Sequence, residues 1–275
     1  MKPLLLMTLA AYVVAAVHYV VTFMHKRRSS ERVAFMSLAV GFALHTASLV
    51  TDWVEDGHYP LFGLRETLSF LGWTLVVAYL LTLTRYRTVA LGSFTLPLVS
   101  VLTFTAMIAR DRSVGMSTEL SKSGAAASWL FPVHTTLLLF AYAAFFVVFA
   151  ASVMYLVQER ELRKKTFGSF FHRLPSLMTV NDIATHAAGI GFTLLTLGVL
   201  TGMLWSSERD GRLWHNDPKE IFAAITWLLY LVLILYRSTA SWRGRRAAWL
   251  GVLGFALVLC TFFGARLMGG YHVFG

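Results

Sequence analysis

Apolar runs of membrane length alternate with short polar stretches along the whole chain. Eight runs, at about 3–24, 33–53, 67–84, 88–108, 133–157, 182–204, 219–236 and 247–267, approach or exceed the ~20 residues that a helix needs to cross a hydrocarbon core. Within lipid, a segment that is not part of a closed barrel satisfies its backbone groups only as a helix. The pattern therefore predicts an all-α fold, a polytopic membrane helical bundle of about eight transmembrane helices. The runs use all of residues 1–275, so one integral membrane domain is expected, with no soluble domain beside it. No sequence repeat and no low-complexity segment stands out. The run from Pro3 to Met24 is too long for a signal-peptide core and lacks a small-residue cleavage site, so it reads as a retained first helix.

Composition agrees with this reading. Hydrophobic residues make up 57% of the chain and charged residues only 14%, where a soluble domain carries about 25%. The single cysteine, Cys260, lies in an apolar run, which excludes a disulfide framework, a cysteine metal cluster and a CxxCH haem attachment within the chain. The net charge of +10 does not require nucleic acid as a partner, because 15 of the 24 Lys and Arg fall in alternate loops. Those loops follow runs one, three, five and seven. By the positive-inside rule they are cytoplasmic, and an even number of spans places both termini on the extracytoplasmic side.

The stretch 205–237, WSSERDGRLWHNDPKEIFAAITWLLYLVLILYR, is a polar, Trp-containing loop that runs straight into a span. Asp217 and Pro218 have a plain structural reading as N-cap and first-turn residue of that span. The loop falls on the outer side. His134, at the outer start of the fifth run, and His272, after the eighth, fall on the same side and flank it. Two imidazoles across an aromatic slot suit the two axial positions of a haem iron. Trp205 and Trp214 would offer apolar faces to the macrocycle, and Arg65, Arg209, Arg212 and Lys219 could pair with its propionates. Trp and Tyr also gather at membrane interfaces whatever the function, and an interfacial His is often only a hydrogen-bonding residue. Both readings stand at this point.

His18, His45 and His186 lie within spans, where polar groups are costly and commonly functional. His18 and His186 fall at matching depths near the inner side, which suits one shared haem, whereas His45 lies in the outer half. Helix–helix hydrogen bonding explains each of the three equally well. Gly189, Gly191, Gly198 and Gly202 line the sixth run at near-helical spacing and read as a close-packing face. His58 sits in the first outer loop, and Glu66 and Asp217 are outer-side carboxylates without an evident catalytic partner. No HExxH, Walker loop or GxSxG is present.

The segment GIGFTLLTLGVLTGMLW, with the loop, DPKE and ITW that follow it, resembles the cytochrome c assembly family of haem-handling membrane proteins. That family includes CcsA (ResC), CcmC and HemX-like members. The likeness is strongest over the motif core 182–237 and extends more loosely through SWRGRRAAW to His272. Upstream, GFALHT with Pro60, Glu66 and Trp73 looks like the HemX-like branch. The resemblance implies haem b held at the outer face by His134 and His272 over Trp205, Gly211, Trp214, Asp217, Pro218, Lys219 and Glu220. In CcsA-type members haem passes to apocytochrome c with the help of a CcsB/ResB-type membrane partner. A bacterial inner (cytoplasmic) membrane location and a non-enzymatic assembly role follow from the same likeness.

The chain departs from the family pattern at several positions. Asp210 and Asn216 stand where the loop motif has tryptophans, Leu235 where CcsA-type chains carry an in-membrane His, and His186-Ala187 where a Tyr-Arg pair is expected. Three functions are thereby set out. The first is a haem-handling factor in cytochrome c maturation. The second is a HemX-like regulatory or scaffold protein of haem biosynthesis. The third is a b-type haem electron-transfer subunit using His18 and His186.

Overall fold

The computed structural model describes residues 3–25, 28–86, 88–109, 129–165, 168, 171–238 and 244–264. Among these the long elements are all helices: α1 (Pro3–His25), α2 (Arg28–Asp56), α3 (Leu64–Tyr86), α4 (Val89–Ile108), α5 (Leu130–Lys164), α6 (Leu177–Asp210), α7 (Pro218–Ser238) and α8 (Arg245–Leu259). A π-helical turn, Cys260–Gly264, follows α8. Eight of these helical segments are long and apolar enough to cross a membrane, and the protein is a multi-pass membrane protein. Several helices outrun the apolar runs. α5 continues through Arg160, Arg163 and Lys164, because charged residues with good helix propensity extend a helix into water at no cost in buried charge.

The helices form two compact units, α1–α4 and α5–α8. In the first, α1 packs on α2 and α4, and α3 packs on α4. In the second, α5 packs on α6 and α8, and α7 packs on α8. The two units thus share one packing order, and their sequences share the devices that produce it. Gly41-Phe42-Ala43-Leu44-His45-Thr46 in α2 matches Gly191-Phe192-Thr193-Leu194-Leu195-Thr196 in α6. Each leading glycine takes an aromatic ring from the helix before it. A Cβ on Gly41 would lie 2.6 Å from the Tyr12 ring, and one on Gly191 would lie 2.6 Å from the Phe145 ring.

The match continues into the turns. Gly57 and Gly211 both end their helices at φ +68°, in the left-handed region that favours glycine. Their N–H groups close on the Trp53 and Ser207 carbonyls at 3.1 and 2.9 Å. Nine residues after each glycine comes a glutamate, Glu66 or Glu220, and seven residues later a tryptophan, Trp73 or Trp227. Trp73 Nε1 donates to Thr46 Oγ1 and Trp227 Nε1 to Thr196 Oγ1, each at 2.9 Å. Phe42 stacks on Trp73 at 5.8 Å, and Phe192 lies against Trp227 at 5.3 Å. The chain therefore holds an internal repeat that inspection of its sequence alone does not reveal. The helix motifs lie 150 residues apart and the turn motifs 154 apart, so the second copy carries four extra residues, about one helical turn.

Candidate functional site: His134 and the α6–α7 turn

The turn between α6 and α7 is built by its own polar groups. Asp217 caps α7, its Oδ1 accepting the Lys219 N–H at 3.1 Å, and Pro218 fills the first helical position, where no N–H is needed. Glu220 Oε2 reaches back to the N–H groups of His215 at 2.7 Å and Asp217 at 3.3 Å, completing a capping box. Asn216 takes a positive φ of 55°, tolerable for its short polar side chain, and its Oδ1 accepts from Trp214 Nε1 at 2.7 Å. His215 sits between two carboxylates, with Nε2 3.4 Å from Asp210 and Nδ1 3.5 Å from Glu220. Ser206 Oγ donates to the Arg212 carbonyl at 2.9 Å and lies 3.2 Å from His215 Nδ1. Arg209 donates twice to Asp210 Oδ2, both at 2.9 Å, and its guanidinium lies 4.6 Å from the Trp205 ring centroid.

Of the two tryptophans named for this site, Trp205 lies inside α6 rather than in the turn. It is 2% exposed, with its ring 5.1 Å from Phe131 of α5. Trp214 is 40% exposed, beside the exposed Leu213. Asp210, where the family motif has an aromatic, spends its carboxylate on Arg209 and His215. Leu235, where an in-membrane histidine is expected, is an exposed residue of α7.

His134 lies in the first turns of α5, and its ring rests against α6. Nδ1 donates to the Gly198 carbonyl at 2.6 Å. A carbonyl only accepts, so in the neutral ring Nδ1 carries the proton and Nε2 the lone pair, the tautomer suited to an iron ligand. The ring fits because residue 202 is glycine: a Cβ there would collide with Cε1 and lie 2.5 Å from Nδ1. The glycine series of α6 therefore has distinct uses. Gly191 admits Phe145, Gly198 admits Leu138 and Gly202 admits His134, whereas a Cβ on Gly189 would meet none of the described residues within 4 Å. The sequence reading of a uniform packing face misses this assignment. The glycine spacing was visible, but the ring that fills the last gap comes from 68 residues upstream.

The other histidines are placed as follows. His45 is fully buried, with Nδ1 3.2 Å from the Tyr12 hydroxyl and Nε2 3.0 Å from the Ser69 hydroxyl, so it ties α1, α2 and α3 together. His18 Nδ1 lies 3.0 Å from Ser30 Oγ in the first unit. His186, in the second unit, is exposed and donates from Nδ1 to the Asp182 carbonyl at 2.8 Å. His272 lies outside the described residues.

Comparison with known proteins places the chain in a family. Residues 61–272 match the sequence model of the family described as cytochrome c assembly protein. The chain is 29% identical over 271 residues to the cytochrome c biogenesis protein CcsA of Synechococcus sp. (strain RCC307), covering 90% of this chain and 86% of that one. It is 30% identical over 259 residues to the protein of the same name from Chlorella vulgaris, covering 84% and 82%. A third relative of that name, from Prochlorococcus marinus (strain MIT 9303), is 28% identical over 300 residues, covering 99% and 94%. The matched region takes in α3 to α8 and the whole α6–α7 turn. The chain belongs to the cytochrome c assembly protein family.

Proposed function

We propose that this protein handles haem during cytochrome c maturation, holding haem b at the extracytoplasmic face of a bacterial cytoplasmic membrane. One observation carries the reading: the His134 imidazole is seated in the Gly202 notch with its Nδ1 proton fixed on the Gly198 carbonyl. That anchoring sets a tautomer and a ring direction before any ligand arrives, as outer partners do for metal-bound histidines. His134 and His272 would hold the haem iron. The iron, when bound, supplies the site to which both imidazoles coordinate. The chain's own contribution is the rest: the capped α6–α7 turn holds its position, and exposed Trp214 and Leu213 offer an apolar face to the macrocycle or to a partner. Names of the relatives support the pathway, and apocytochrome c with a CcsB/ResB-type membrane protein are the partners that follow from it.

Visible spectra of the detergent-purified protein, before and after haem addition, test this reading. A Soret band is expected in wild type, and His134→Ala should lower bound haem by at least about tenfold. Equal haem in both proteins would sink the site assignment.

A second reading, a scaffold that contacts enzymes of haem biosynthesis, is favoured by Asp210 and Asn216, whose side chains serve the turn itself. A deletion strain separates the two. Loss of covalent c-type cytochromes with normal total haem supports haem handling for cytochromes; altered haem precursors with intact cytochromes supports the scaffold.

A further inference from the structure

The repeat invites a comparison of its two turns. In the second, Asp210 precedes Gly211, His215 lies in the turn and Glu220 caps the next helix; in the first, Asp56 precedes Gly57, His58 follows it and Glu66 caps α3. Both turns therefore carry an Asp–His–Glu set on one frame. They differ in charge. In the second turn Arg209 stands beside Asp210 and donates to it twice. The equivalent position in the first turn is Glu55, an exposed acid that adds negative charge where the other copy has a cation. Arg65, the basic residue of the first turn, donates to Asp52 at 3.0 Å.

The first set is also drawn together. One ligand atom from each of Asp56, His58 and Glu66 lies within 4.8 Å of the others, a spread that small side-chain movements would close onto a shared ion about 2.0–2.2 Å from each. Two of the three ligands are oriented from behind. Glu66 is 2% exposed, and its Oε2 accepts from the Phe62 N–H at 2.8 Å and the Gly63 N–H at 3.4 Å. His58 Nδ1 lies 3.2 Å from the Tyr59 carbonyl, to which it donates, and the ring is held edge-on to Phe62 at 5.2 Å. That leaves Nε2 as the lone-pair nitrogen, and this atom is enclosed with no hydrogen-bond partner among the described residues. A buried acceptor nitrogen without a donor carries a desolvation cost that a bound cation would remove. Backbone-anchored Nδ1 with Nε2 turned to a ligand is the arrangement histidine takes at metal centres.

We propose that the α2–α3 turn binds a divalent transition-metal cation through Asp56, His58 Nε2 and Glu66. One imidazole and two carboxylates match Zn2+ best, with Mn2+ as the harder alternative, and three protein ligands leave a coordination position open. The site is independent of the haem reading, since none of its residues takes part in holding haem.

The test uses the full-length, tag-free protein in detergent, stripped with a chelator and dialysed against Zn2+ or Mn2+, with bound metal measured by mass spectrometry. Wild type should retain about one ion per chain, and its thermal midpoint should rise with Zn2+, because a ligand that binds only the folded state stabilises it. His58→Ala and Asp56→Asn should each weaken binding by more than about tenfold and abolish the Zn2+-dependent rise. Neither residue caps a helix, so their midpoints without metal should stay near that of wild type; Glu66 is avoided because its carboxylate also holds the turn. Retention of Mn2+ but not Zn2+ would keep the site and change its metal. Equal retention of both ions by wild type and His58→Ala would overturn the proposal.

Discussion

The α2–α3 and α6–α7 turns are two versions of one construction, and their differences are more informative than their likeness. Both end a helix on a left-handed glycine, both use a glutamate to gather backbone N–H groups, and both sit above a tryptophan that donates to a threonine on the preceding helix. The shared parts are those the fold requires. What varies is the charge around the Asp–His–Glu set and the residue one position before the threonine. The second turn neutralises its aspartate with Arg209, and its helix carries Leu195 before Thr196. The first turn has Glu55 in place of the arginine, and His45 before Thr46. The frame is structural, and the chemistry resides in what is placed on it.

If the glutamates are equivalent, removing either should cause the largest loss of stability among the shared parts. Glu66→Ala strips the partner from two backbone N–H groups in a nearly sealed site, at about 1–3 kcal/mol for each group left without one. Glu220→Ala should cost less, because its turn is more open to water. Thermal midpoints in detergent check the order, and a larger loss for Glu220→Ala would break the equivalence.

The two glycine notches come next. Gly41→Ala and Gly191→Ala each push a Cβ to 2.6 Å from a neighbouring ring, and overpacking of that kind costs about 1–3 kcal/mol. Gly189→Ala, about 200° round α6 from Gly191, would meet none of the described residues within 4 Å and should leave the midpoint unchanged. Equal effects at 189 and 191 would return α6 to the uniform small-residue face.

The smallest expected effect is the most specific. Trp73→Phe and Trp227→Phe each delete one indole donor, together with some ring volume, and interhelical hydrogen bonds in membranes average about 0.6 kcal/mol. Each loss should shrink by about that amount when its threonine is already valine, in Thr46→Val and Thr196→Val backgrounds. A loss undiminished there would mean that the indole acts by its bulk alone.

The eight spans and the cap at Asp217-Pro218 were legible in the sequence because each is written in contiguous residues: an apolar run, or an Asp-Pro with a glutamate three positions after the aspartate. The repeat was not legible, since it survives in a handful of glycines, aromatics and threonines among interchangeable apolar residues, and a four-residue offset breaks its register between helix and turn. The seat of His134 was hidden for a different reason: Gly198 and Gly202 reach it only by tertiary packing across α5 and α6. Glu66 and His58 were each visible without a partner, because nothing local says that Gly57 folds one back toward the other. His45 was legible as a buried polar group, but its two hydroxyl neighbours come from α1 and α3.

The central claim is that haem is held at His134. The direct measurement is haem content, by pyridine haemochrome, of wild type, His134→Ala and His58→Ala purified side by side after haem addition. The account predicts haem in wild type and in His58→Ala, and a loss of at least about tenfold in His134→Ala. Undiminished haem in His134→Ala, or no haem in wild type, would contradict it.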